Sequence, residues 1–184
     1  MKKEYNILIL KALRFFIENP YEEIHLREFS RKLKISVNSA QRFLDFFLKE
    51  RLINEERKAN LRSFKANIDS IVFRNLKIVF SLKKIEDSGI VNLLRNRVFN
   101  FVLFGSIAKG TDSAESDIDL LVLCRDREEI RKICSDFHKK FNREVNFHIF
   151  NVNQWKNQKK LNKAFYQEVI STGINLIGET PILD

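Results

Sequence analysis

The chain has 184 residues, of which 44% are hydrophobic, with 33 Lys+Arg against 24 Asp+Glu and a formal net charge of +9; that apolar share suffices for one sizeable core or two small ones and excludes disorder of the whole chain. Only 5 Gly and 2 Pro punctuate it, which excludes a collagen-like, linker-like or turn-dense all-β chain. Two cysteines, Cys124 and Cys134, are too few for a disulfide framework and too far from any His/Cys cluster for a zinc site, and are expected as buried small hydrophobes. Met1-Lys2-Lys3 opens like a secretory leader, but Glu4, Lys11 and Arg14 break up the apolar run from Ile7 to Leu13. No stretch reaches the ~18 apolar residues of a membrane span, so the expectation is a cytoplasmic protein without a membrane partner. The charge is uneven: residues 1–67 hold 15 Lys+Arg and 9 Asp+Glu, whereas residues 97–184 hold 13 and 12. Clustered positive charge gains most by displacing counterions from a polyanion, so a nucleic-acid-binding module followed by a near-neutral module is expected.

In chain order, Leu8, Ala12, Phe15 and Phe16 recur at helical spacing and stop before Asn19-Pro20, because the residue before proline avoids the helical region. Ile24-His25-Leu26 is a short β-like stretch, with His25 structural or solvent-facing. Leu26, Phe29 and Leu33 define a second helix, and Lys34 to Ser36 a turn. Val37, Ala40, Phe43, Leu44, Phe47 and Leu48 define a third helix capped by the Ser36 hydroxyl. Its other side carries Asn38, Ser39, Gln41, Arg42 and Asp45. Asn, Gln and Arg are the side chains that make paired hydrogen bonds to base edges. Leu52 to Glu55 and Leu61 to Ala66 read as two strands around the turn Arg57-Lys58-Ala59-Asn60, a basic hairpin.

This order of helices and hairpin resembles the winged helix-turn-helix domain of prokaryotic and archaeal transcription regulators. The resemblance implies that Asn38, Ser39, Gln41 and Arg42 read the DNA major groove while Arg57, Lys58 and Arg62 meet phosphates or the minor groove. Solvated faces of a small helical domain, or a fold used for protein contacts, are the alternatives. Ile68, Ile71, Val72, Leu76, Val79 and Phe80 then describe a long helix ending near Ser88-Gly89, with a second apolar line of Ile78, Leu82 and Ile85. Two stripes on one helix suit packing on both flanking units or on a second chain, so this helix is the candidate contact of a homodimer. The domains are expected at 1–67, 68–96 for linker helices, and 97–184.

Val98 to Phe104 is an almost continuous apolar strand that runs into Gly105-Ser106-Ile107-Ala108-Lys109-Gly110. Glycine permits a tight strand-to-helix turn, and free N–H groups at such a turn suit an anionic phosphate. Ser116-Asp117-Ile118-Asp119-Leu120-Leu121-Val122-Leu123 reads as the next strand, with Asp117 and Asp119 on one face by alternation. Two neighbouring carboxylates repel, and a divalent cation resolves the conflict; Mg²⁺ typically takes one or two carboxylates together with nucleotide phosphates.

Gly105-Ser106-x-Ala108-x-Gly110 followed by Ser116-Asp117-Ile118-Asp119 resembles the signature of the minimal nucleotidyltransferases of the DNA polymerase beta superfamily. The resemblance spans roughly residues 97 to 178, including Val169 to Gly178 as closing helix and strand. It implies an α+β chain: an N-terminal winged helix-turn-helix, a linker helix, then a small mixed β-sheet nucleotidyltransferase domain with flanking helices. It also implies that Gly105, Ser106, Lys109, Gly110 and Ser116 hold a nucleoside triphosphate, and that Asp117 and Asp119 ligate Mg²⁺. Lys109 stands where the family often has arginine, which keeps the charge and loses the planar fork. The family's third carboxylate falls on Asn146 in Arg143-Glu144-Val145-Asn146-Phe147-His148-Ile149-Phe150, after a helix expected over Glu128 to Phe141. Glu144, one step along the same face, could substitute; His148 could act as base or ligand; or the third group is absent. Two functions follow: Mg-dependent transfer of a nucleoside monophosphate to an unknown hydroxyl acceptor, or a DNA-binding regulator or antitoxin whose transferase fold is a weakened nucleotide sensor. Some relatives are antitoxin halves of two-component systems, so a toxin-like partner protein is a further expectation. The 17 Phe are assigned to packing, with Phe46 as the exception.

Overall fold

The computed structural model describes residues 2–58, 61–137, 140–141 and 143–182, the side chains of residues 2–6 and 58 excepted. Ala59 and Asn60 of the expected hairpin turn, and the Lys58 side chain, lie outside the described residues. The chain divides into two compact units, Met1–Phe80 and Ser81–Asp184.

The first unit is a winged helix-turn-helix built as α1 (Lys2–Glu18), β1 (Ile24–His25), α2 (Leu26–Leu33), α3 (Val37–Lys49), β2 (Ile53–Lys58) and β3 (Leu61–Ala66). The α2–α3 turn is set locally: Lys34 takes the left-handed conformation at φ 54°, and the Ser30 hydroxyl donates to the Ile35 carbonyl at 2.7 Å. Ser36 then accepts the Ser39 N–H at 3.2 Å, which satisfies one of the unpaired donors at the start of α3. A three-stranded antiparallel sheet in the order β1-β3-β2 closes the unit. Its core is phenylalanine: Phe16, Phe29, Phe43, Phe47, Phe64 and Phe73 are buried, with Phe16 edge-on to Phe47 and tilted against Phe29. Each such ring contributes about 1.5–3 kcal/mol by leaving water.

Helix α4 (Ile71–Asp87) starts three residues later than the apolar spacing predicts, because the Ser70 hydroxyl accepts the Phe73 N–H at 3.3 Å and fixes the first turn there. The apolar residues sort differently from the expected stripes. Phe73, Leu76 and Phe80 pack on the first core and Leu82 and Ile85 on the second, whereas Ile68, Ile71, Val72 and Val79 are exposed.

The second unit adds α5 (Ile90–Leu94), β4 (Val98–Phe104), α6 (Gly105–Lys109), β5 (Ile118–Cys124), α7 (Arg127–Phe137), β6 (Val145–Phe150), α8 (Val152–Leu161), α9 (Lys163–Thr172) and β7 (Ile174–Ile177). The mixed sheet runs β6-β5-β4-β7; β4 is antiparallel to β5 and β7, and β5 and β6 are parallel, joined by the crossover helix α7. Alternation splits the strand residues between two cores. Phe101, Leu103, Ile118, Leu120 and Val122 face one core together with α5 and α7 residues, and Val102, Phe104, Leu121 and Leu123 face the other with Trp155, Tyr166 and Val169 of α8 and α9. Trp155, fully buried, donates its indole N–H to the Pro181 carbonyl at 2.8 Å and ties down the C-terminal segment. Both cysteines are buried and free.

The wing holds its own counterion. Glu55 accepts from Arg62 through both carboxylate oxygens, at 2.7 and 3.1 Å, and from Arg57 at 2.7 Å. These bonds, Arg62 first, hold its pKa at about 2, below the ordinary 4.5. A carboxyl depressed by folding stabilises the fold above its unfolded pKa, and that contribution is lost as pH falls through the folded value. Glu55→Gln is therefore expected to flatten the dependence of melting temperature on pH between 4.5 and about 2. An equally steep acid limb in the variant would show that Glu55 does not anchor the wing.

Candidate functional site

The candidate site forms where β4, β5 and β6 meet α6. Strand β5 begins at Ile118, so Asp117 stands one residue before the ladder and Asp119 within it. Asp119 lies opposite Phe104 of β4 and in register with Asn146 of β6. Registration alone thus gathers three chain segments that are far apart in sequence. The Asn146 amide nitrogen donates to Asp117 Oδ2 and to Asp119 Oδ1, both at 3.3 Å. Two anionic acceptors demand a donor between them, which sets the amide with its N–H₂ toward the pair. Neither aspartate forms a salt bridge with a described residue, and both are half-buried. The carboxylates converge, and no described lysine or arginine neutralises them.

Gly105 makes that convergence sterically feasible. Its φ of 75° is left-handed, and a Cβ at this position would overlap Asp119 Oδ2 and come within 3.3 Å of Cγ. The glycine predicted for a tight turn is therefore also the space into which the second carboxylate folds. Ser106 opens α6, half-buried, and Gly110 ends it at φ 68°. Lys109 faces a carboxylate: its ammonium donates to Glu168 of α9 at 2.6 Å. Ser116 serves its own loop, where its hydroxyl accepts the Ser113 N–H at 2.9 Å and bonds the Ser113 hydroxyl at 3.2 Å.

The third-position alternatives separate cleanly. Glu144 precedes β6 with an exposed side chain, and its carbonyl accepts the Ile118 N–H at 2.9 Å. Among the described residues, no group of three His, Cys, Asp or Glu is placed to hold a metal, so neither Glu144 nor His148 completes such a set with the aspartates. His148 lies on the same sheet face as Asn146, packed edge-on to Phe104 at 5.3 Å and against Phe165 at 5.2 Å. Burial pushes its pKa down, against a smaller upward pull from Asp119.

One contributor carried no sequence signal. Asp112, buried, receives a hydrogen bond from Arg143 at 2.9 Å, which pins the loop before Asp117 to the start of β6. The two residues are 31 positions apart and neither belongs to a motif.

In the N-terminal unit, α3 presents exposed Asn38 and Arg42 and half-buried Ser39 and Gln41. Gln41 donates to Asp45 at 2.7 Å, Ser39 accepts from Ser36, and Arg57 and Arg62 are engaged by Glu55. Phe46 is exposed on α3, as its position off the apolar stripe implies.

No curated protein matches the chain at a significant level. Solved structures similar to it include a toxin–antitoxin crystallised with AMP-PNP, at 24% identity over 51% of this chain and 73% of that one, TM-score 0.38. Reduced HlyU from Vibrio cholerae is similar at 15% identity over 42% of this chain and 86% of that one, TM-score 0.32. NolR from Sinorhizobium fredii is similar at 20% identity over 46% and 86%, TM-score 0.33. The family model for polymerase beta nucleotidyltransferases matches residues 88–180, half of the chain and the whole of the site at Gly105, Asp117 and Asp119, and the chain therefore belongs to the polymerase beta nucleotidyltransferase family.

Proposed function

We propose that the C-terminal unit binds a nucleoside triphosphate with Mg²⁺ at Asp117 and Asp119 and transfers the nucleoside monophosphate to a hydroxyl acceptor. The observation that carries this reading is the convergence of the two carboxylates on one neutral amide, with no lysine or arginine paired to either among the described residues. Such a donor set fits a hard cation that completes its coordination with phosphate oxygens and water. When bound, the cation supplies charge neutralisation for the triphosphate. Gly105 keeps Asp119 folded against the turn, and the backbone at Gly105-Ser106 is the cradle that the family resemblance assigns to the phosphates. Lys109, half-exposed beside Glu168, exchanges that carboxylate for a phosphate oxygen when nucleotide enters. Asp112 and Arg143 hold the loop that presents Asp117. Chemistry on this scaffold is mainly positioning and electrostatics.

Asn146 favours a second reading, a regulator whose transferase fold senses nucleotide. An amide takes no proton at the position where the family has a carboxylate, so an acceptor hydroxyl meets no base on β6 at that register. The two readings part on one comparison. Incubation with labelled nucleoside triphosphates and Mg²⁺ is expected to give transfer or pyrophosphate release that Asp117→Asn abolishes. Asn146→Asp is expected to raise that rate by about 10²-fold or more, the scale of a restored proton acceptor. Tight nucleotide binding without release in the parent chain, with turnover gained only in Asn146→Asp, would select the sensor. Gly105→Ala is expected to abolish transfer while the fold persists, checked by circular dichroism beside the assay; full activity in this variant would remove the crowded Gly105–Asp119 contact from the mechanism.

The winged helix supports DNA binding as the role of the first unit, and α3 supplies the reading face. Because Arg57 and Arg62 are held by Glu55, Arg42, exposed on α3 and without a salt bridge to a described residue, is the candidate left to meet a phosphate or a base. DNA affinity is expected to fall steeply with salt and to drop by about 1–3 kcal/mol in Arg42→Ala, with a smaller loss in Arg62→Ala. Salt-independent affinity would count against this role. A second copy docking on exposed Ile71, Val72 and Val79 is the accompanying reading for a homodimer, and a toxin-like protein is the partner under the antitoxin reading.

A further inference from the structure

A second concave site lies on the opposite face of the transferase sheet. Helix α7 and strand β6 border an open cavity of about 380 Å³ lined by Arg127, Arg131, Cys134, Ser135, Phe147 and Ile149. Strand alternation separates it from the aspartate pair, since Asn146 and His148 point to one side of β6 and Phe147 and Ile149 to the other. The volume falls in the range of small-molecule pockets, roughly 300–1,000 Å³.

The lining is chemically lopsided. Arg127 and Arg131 are one helical turn apart, so their side chains share a face and their like charges repel. Neither forms a salt bridge with a described residue, and the Arg127 Nε is buried with no hydrogen-bond partner among the described residues. Of the carboxylates at the start of α7, Asp126 accepts the N–H groups of Glu128 and Glu129 at 3.0 Å each and Glu129 pairs with Arg97, while Glu128 is exposed and forms no salt bridge with a described residue. Ser135 adds a hydroxyl that donates to the Lys132 carbonyl at 2.8 Å, and the remaining wall is apolar. Phe147 and Ile149 are half-buried, and burial pushes the Cys134 thiol up to about 12, which keeps it neutral. Two forked cations over an apolar floor match an oxyanion attached to an apolar body, because a guanidinium donates paired N–H groups to carboxylate and phosphate alike.

We propose that the α7–β6 cavity is a binding site for a small organic oxyanion, held at its charged end by Arg127 and Arg131 and at its apolar end by Phe147 and Ile149. The site is separate from the nucleotide site and stands whether or not the chain transfers nucleotides.

The test uses the full chain in phosphate-free buffer with EDTA, so that no cation recruits phosphate to Asp117 and Asp119. Calorimetric titration with inorganic phosphate, phenyl phosphate and benzoate is expected to show an aromatic anion binding at least about tenfold tighter than inorganic phosphate. The tighter of the two aromatic anions identifies the headgroup as phosphoryl or carboxylate. Arg131→Ala, at an exposed position, is expected to weaken that binding by about tenfold or more, and Arg127→Ala with Arg131→Ala to remove it, with melting curves checking that both variants fold. Asp117→Asn is expected to leave it unchanged. The proposal is overturned if neither aromatic anion saturates at millimolar concentration, if the folded Arg131→Ala variant binds as the parent does, or if Asp117→Asn abolishes binding.

Discussion

Two carboxylates brought to one point are the constraint on which the second unit is arranged. Asp117 and Asp119 repel each other, and among the described residues no lysine or arginine pairs with either; the Asn146 amide donates to both. An amide holds the pair together through weak hydrogen bonds and leaves the net charge in place. A lysine there would have plugged the site with a salt bridge, and an aspartate would have added a third repelling charge. The neutral donor keeps the pair converged and still open to a cation.

Several features elsewhere in the unit serve that geometry. Parallel pairing of β5 and β6 sets Asn146 opposite Asp119, and antiparallel pairing with β4 sets Phe104, and after it Gly105, on the other side. A one-residue slip of either ladder would turn Asp119 toward the core that contains Ile118 and Leu120. The register is secured by the apolar residues that alternate with the acids, since Leu121 and Leu123 pack on one core and Ile118, Leu120 and Val122 on the other. Burial of those side chains is thus what aims the carboxylates. The buried Asp112–Arg143 bond does the same for the loop before Asp117.

Charge in the first unit follows a different logic. Its excess of basic residues predicts a nucleic-acid-binding module with a basic hairpin, yet Glu55 folds back onto Arg57 and Arg62 and Asp45 holds Gln41. Pairing with Glu55 offsets part of the positive charge of the wing. Net charge counted along a sequence does not report such pairing, because hairpin partners such as Glu55 and Arg62 meet only once β2 and β3 are in register.

The sequence by itself determined the element order from α1 to β3, the α2–α3 turn with its Ser36 cap, the limits of β4, and the Gly105-Ser106 and Asp117-x-Asp119 signature, because each depends on local periodicity, capping or a short motif. It also indicated that the third position is Asn146, while leaving Glu144 and His148 open as substitutes. Only the tertiary structure decided that Asn146 bridges both aspartates, that Glu144 stays exposed beside the strand, that Lys109 rests on Glu168, and that exposed Ile71 and Val72 stand apart from the buried Phe73 on one helix. Those outcomes depend on strand register and on contacts between residues tens of positions apart, and no local pattern encodes which distant side chain will fill the space next to a given one.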